Sequence, residues 1–248
     1  MSLALPLSGS LAWWGTAWLR GRVVVDLLLD AVLASDATHV VGGLPGVDGS
    51  VPLARALAEI RIIGVGSLGL ALPAPGDPVG VGGPPEFSAA ALEAGEAVVA
   101  GPLGLVPRRV GAAVEWTAYA ASPRQVTDVG DADRALRRGL QEAATALADL
   151  GVARWRPEAA DALMNLHHPP RLAPPPGTPG RCADLAGRAL QALAIVDLAL
   201  ADDGGALDVA EISARHAALA PLGALSRRGL VAACSPEVWP ERGPSDTT

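Results

Sequence analysis

Four carboxylates fall within a short span: Asp77, Glu86, Glu93 and Glu96. Glu86 and Glu93 stand seven apart, and Glu93 and Glu96 three apart. A helix through them would carry all three on neighbouring parts of one side. With Asp77 they would form a carboxylate cluster suited to a hard cation, an amine or the arginine of a partner. The competing reading is a solvated helix face with one acid completing the helix start. Glu115, Tyr119 and Arg109 form a second set. They share a hairpin, and a carboxylate, a phenol and a guanidinium could support acid–base chemistry. Glu115 and Arg109 as a structural ion pair is the simpler account of the same residues.

The first set is bound up with the stretch 71–87, "ALPAPGDPVGVGGPPEF", which holds five prolines and four glycines. A strand before it and a helix after it would place this loop where α/β proteins often bind ligands. Glycine-rich loops at helix starts favour anions. Here, however, Pro84 and Pro85 remove N–H donors. The only charges are Asp77 and Glu86, and no basic residue lies between Arg61 and Arg108. The expected loop is rigid and acidic, with any ligand cationic. Pro75–Gly76 has the residue types for the centre of a type II turn.

Other matches to chemical motifs fail on context. "GVGSLG" at 64–69 fits G-x-G-x-x-G, but Pro73 follows four residues after Gly69 and leaves no room for the helix a dinucleotide needs. Ser67 lacks the first glycine of a nucleophile elbow. His167 and His168 are adjacent, run straight into prolines, and have no nearby ligand set for zinc. His39 and His216 are isolated in sequence. Cys182 and Cys234 show no disulfide or zinc spacing. No metal site is expected, and no cofactor is identified.

Composition narrows the partners. All 19 basic residues are Arg, and the formal net charge is −7. An acidic chain with scattered Arg pairs (108–109, 137–138 and 227–228) reads as solvated surface and argues against a nucleic-acid partner. Half the residues are apolar but only 3% are aromatic, so the core must be built from Ala, Leu and Val. The first nineteen residues carry no charge, yet Pro6, Gly9 and Gly15 and the lack of a basic flank argue against a membrane segment or signal peptide. Trp13, Trp14 and Trp18 are expected to anchor this segment onto the body. The expected location is the cytoplasm.

The elements that must position these residues follow from periodicity. Helices are expected at 11–20, 24–34, 51–60 and 85–99. Strands are expected within 62–73, before a turn near Pro107–Arg109, and over 110–121. On the last, Val110, Ala112, Val114, Trp116 and Ala118 would face the core, and Glu115, Thr117 and Tyr119 the other side. From 128 onward the pattern is helical: one helix capped by Asp131, one from Pro157, one over 181–201, one opened by an Asp208/Glu211 capping box, and a last over 222–234. A proline-rich connection spans 167–181. The expected fold class is α+β, with a small mixed sheet and covering helices in the N-terminal half and a helical C-terminal half. The regions are 1–127 and 128–240, separate or one continuous domain, with 241–248 a frayed tail.

The runs "LPAPGDPVGVGGPPEF", "ALEAGEAVV" and "LVAACSPEVW" resemble an uncharacterised family of actinobacterial proteins of about this length. No activity goes with that resemblance, so it assigns no site residue. The favoured functional reading is a non-catalytic interaction or regulatory protein, with a protein partner or self-association. The alternative is a small-molecule-binding protein or enzyme with an acidic pocket at the 73–85 loop.

Overall fold

The computed structural model describes residues 4–149, 172–200 and 209–239. The fold is α+β, as the sequence predicts. Strands β1 (Thr38–Gly42), β2 (Val51–Pro52), β3 (Gly69–Ala71), β4 (Ala97–Ala100), β5 (Leu103–Val110) and β6 (Ala113–Ala120) form one mixed sheet in the order β2-β1-β6-β5-β4-β3. Only the β1–β6 pair is parallel. Helices α1 (Leu7–Leu19), α2 (Val25–Leu33), α3 (Leu53–Ile62) and α4 (Pro85–Ala94) accompany the sheet. Helices α5 (Val129–Asp149), α6 (Gly180–Leu200) and α7 (Val209–Ala233) make the C-terminal half, ended by a 3₁₀ turn at Pro236–Val238.

Alternation along β6 divides the core in two. Val114 and Trp116 face a large apolar cluster that also takes in Trp13 and Leu11 of α1, Leu57 of α3, Leu136 of α5, Leu185 of α6 and Leu230 of α7. Tyr119 faces the opposite side and joins Phe87 and Ala91 of α4 in a smaller cluster. Phe87 lies directly on β5 at Gly104, where a Cβ would overlap the ring. That close approach is why a strand interior here carries glycine.

Several expectations are corrected. Helix α4 stops at Ala94 rather than 99, because Gly95 adopts the left-handed conformation (φ 74°) that ends helices. Residues 97–100 then form β4, which is wholly buried. The β5–β6 hairpin turns at Gly111–Ala112, not at 107–109. Pro107 and Arg109 are paired within the ladder, and Val110 belongs to β5 and is exposed rather than in the core. The start of α5 is closed by Asp128, whose Oδ1 accepts the N–H groups of Gly130 (2.7 Å) and Asp131 (3.3 Å). Asp131 is inside the first turn. Helix α7 runs unbroken through Pro221, where a break was expected. Pro221 is exposed, so its missing N–H and its ring meet solvent, while the buried Leu219 and Leu222 hold the helix on either side. The Pro157 helix, His167, His168, Asp208 and the tail lie outside the described residues.

Candidate functional site

The loop between β3 and α4 has the turn its sequence predicts. Ala74 and Asp77 exchange backbone hydrogen bonds at 2.9 and 2.8 Å, and Gly76 has φ 76°. The turn presents Asp77 to the last part of α7. Arg228 donates to Asp77 Oδ1 at 2.5 Å, and Arg227 to Oδ2 at 3.3 Å. This arginine pair is therefore half-buried and engaged, not plain solvated surface.

The loop's glycines serve close packing. Gly80 has φ 78°, and a Cβ there would stand 2.8 Å from the Leu70 carbonyl oxygen. Arg124 closes the arrangement. Its side chain is 4% exposed. Nη1 donates to the carbonyls of Leu70 (2.6 Å) and Gly80 (2.7 Å), and Nη2 donates to Ser235 Oγ (3.0 Å) and Glu237 (2.5 Å). Burial pulls the Arg124 pKa down, and the carboxylate of Glu237 opposes that. Sequence reasoning missed Arg124. The one available signal was its place as the lone cation between Arg109 and Arg134.

The remaining candidate acids do not join Asp77. Glu86 and Glu93 are exposed on α4. Glu96 lies beyond the helix, beneath the start of α1, where it accepts the Ser8 N–H at 2.7 Å. Pro6 supplies no side-chain cap for α1, so Glu96 fills that role from the sheet. Burial pushes the Glu96 carboxyl up, and the Ser8 hydrogen bonding holds it back. Glu115 pairs with Arg108 at 2.5 Å, its cross-strand neighbour, and not with Arg109. Tyr119 packs beside Phe87, with ring centroids 6.3 Å apart.

Arg109 reaches a group that sequence reasoning left unconnected. It donates to Asp36 Oδ1 at 2.5 Å. The other oxygen of Asp36 meets His39 Nε2 at 3.2 Å, and the Trp116 indole N–H donates to His39 Nδ1 at 3.3 Å. The indole fixes the tautomer: Nδ1 accepts, so Nε2 carries the proton and donates to Asp36. His39 is buried, and desolvation together with the charge of Arg109 lowers its pKa more than Asp36 raises it. Burial alone would raise Asp36, but the Arg109 and His39 hydrogen bonds outweigh it and hold the carboxyl below its ordinary value.

Two hollows flank the loop. One of about 350 Å³ lies against α4, among Pro73, Ala74, Val81, Ala89 and Leu92. The other, about 240 Å³, lies against residues 125–127 and α7. Asp77 and Pro78 border both, while Glu115 and Tyr119 border neither. Cys182 and Cys234 are free and buried. Burial pushes Cys182 up to about 12 and Cys234 well above its ordinary value, so neither thiol is nucleophilic at neutral pH. Among the described residues no group of three or more His, Cys, Asp or Glu could hold a metal ion, and no helix is long and apolar enough to cross a membrane.

Comparison with known proteins places the chain in a family. Residues 8–129 match the model of the Rv1486c-like protein, N-terminal domain, and residues 130–231 that of the Rv1486c-like protein, C-terminal domain. The chain belongs to this Rv1486c-like family. It is 33% identical over 187 residues to "Uncharacterized protein Rv1486c" of Mycobacterium tuberculosis H37Rv, covering 58% of this chain and 65% of that one. It is 31% identical over 191 residues to "Uncharacterized protein MAV321" of Mycobacterium avium, covering 58% and 62%. The matches thus span less than two thirds of these relatives' lengths. No solved structure matches.

Proposed function

We propose that this member of the Rv1486c-like family is a cytoplasmic, non-catalytic protein that acts by binding another protein or a second copy of itself. The carrying observation is a set of exposed large apolar side chains on the segments next to the C-terminal end of α1. Ile62 and Ile63 are 77% and 54% exposed, and Val24 and Leu27 61% and 52%. The isoleucines are tied to the last turn of α1 on both sides: Arg61 stacks over Trp18 at 5.5 Å, and Arg20 donates to the Gly66 carbonyl at 3.3 Å. Val24 follows that turn by five residues. Large apolar side chains left exposed on segments that adjoin the same helix end are suited to burial against a partner.

The use made of the acids supports the same reading. Asp77, Glu96 and Glu115 hold an arginine pair, a helix start and a strand neighbour, a use that favours a structural part for these acids. Free thiols favour a reducing compartment. The acidic net charge favours a protein partner over a nucleic acid.

The test is the double variant Leu27→Asp, Ile62→Asp, compared with the unmodified chain by light scattering and by pull-down from an actinobacterial lysate. The unmodified chain is expected to exceed monomer mass or to retain a specific partner. The variant is expected to lose that association while keeping its circular dichroism spectrum. A monomeric unmodified chain that retains nothing would end this reading.

A further inference from the structure

The 240 Å³ hollow is bordered by Asp77, Gly80, Gln125, Thr127, Arg228 and Val231. Beside the acid of the loop it carries a guanidinium from α7. Two guanidiniums, Arg227 and Arg228, meet the carboxylate of Asp77, and of the two Arg228 borders the hollow. Asp128, which follows Thr127, turns its carboxylate to the start of α5, where two backbone N–H groups hold it. Among the described residues Arg228 engages Asp77 through Nη2, and its side chain is 41% exposed. An arginine has five N–H donors, so most of the fork remains available at the hollow. Exposed Gln125 and Thr127 add an amide and a hydroxyl, and Val231 an apolar wall.

We infer that this hollow binds a small carboxylate. A planar carboxylate matches the guanidinium fork. One guanidinium borders the hollow beside a carboxylate, so a monoanion is matched better there than a phosphate dianion. The volume falls below the roughly 300–1,000 Å³ of sites for drug-sized ligands, which suits a smaller molecule with a short alkyl group.

The experiment is calorimetric titration of the full chain with sodium propionate, against sodium chloride at matched ionic strength, with inorganic phosphate as a second arm. Propionate is expected to bind saturably. Arg228→Gln is expected to weaken it roughly tenfold or more, the loss of a hydrogen bond to a charged group. Arg228→Lys keeps the charge without the fork and should also weaken it. Asp77→Asn frees both guanidiniums and should strengthen it. Should Arg228→Gln fail to fold, Arg228→Lys and Thr127→Val carry the test, both expected to weaken binding. Propionate behaving as chloride does, binding unchanged in the Arg228 variants, or phosphate binding more tightly than propionate would each overturn the proposal.

Discussion

Arg124 and Arg108 are both arginines paired to glutamate, and they are expected to differ sharply in what they contribute. Arg108 lies on the surface, 71% exposed, and meets a partly exposed Glu115. Such pairs contribute about 0–1 kcal/mol. Arg124 also satisfies the carbonyls of Leu70 and Gly80. Stranding a buried acceptor costs about 1–3 kcal/mol. Arg124→Met should therefore lower the unfolding free energy by roughly 3 kcal/mol, and Arg108→Gln by less than about 1 kcal/mol. Urea denaturation measures both, and equal effects would show that the two carbonyls find other partners. Local sequence could not reveal this role, because the partners of Arg124 lie 44 to 113 residues away. The same holds for Asp77, whose arginines lie 150 and 151 residues on. Composition showed an acidic loop, and long-range pairing decides its local charge.

At the scale of elements, the parallel β1–β6 pairing brings Asp36 and His39 beside Arg109 and Trp116. Protonating His39 would put a second donor on Nδ1, facing the Trp116 N–H. The charged groups that face the ring are Asp36 and Arg109. The folded pKa of His39 lies below the ordinary 6.5, so the unfolded chain takes up a proton that the folded chain refuses. Stability is therefore full above 6.5 and falls as pH drops below it, until the folded ring titrates. Asp36 acts in a lower window, because its depressed carboxyl adds stability that is lost as pH falls from 3.8. His39→Gln should flatten the first decline, as read by thermal melts at pH 7.5, 6 and 5. A decline of the same steepness in the variant would place its source elsewhere. Elements with strong periodicity, such as α2, α5 and α6, were legible because one face of each is apolar. The α4–β4 boundary was not, since the alanines of 89–100 suit either state and only the conformation of Gly95 decides. Nor was the continuity of α7, because a proline that faces water does not end a helix whose neighbouring turns are held in a core.

Across the whole molecule, the two halves that match separate family domains share one apolar cluster. The outer edge of β3 depends on the C-terminal half. The Leu70 N–H donates to the Cys234 carbonyl at 3.2 Å, and the Leu70 carbonyl takes Arg124, which Ser235 and Glu237 hold in place. The Trp13 indole donates to the Ala233 carbonyl at 3.1 Å, 220 residues away. An exposed sheet edge and an unpaired buried indole are both unfavourable. The full chain is thus expected to unfold in one calorimetric transition whose van't Hoff and calorimetric enthalpies agree. A fragment of residues 1–129 should lack a cooperative melt, because β3 and Trp13 would lose these partners together. Adding residues 130–239 as a separate chain should restore the melt if the shared core is what was missing. Two resolved transitions in the full chain, or a cooperative melt of the fragment alone, would show instead that the N-terminal half carries a sufficient core of its own.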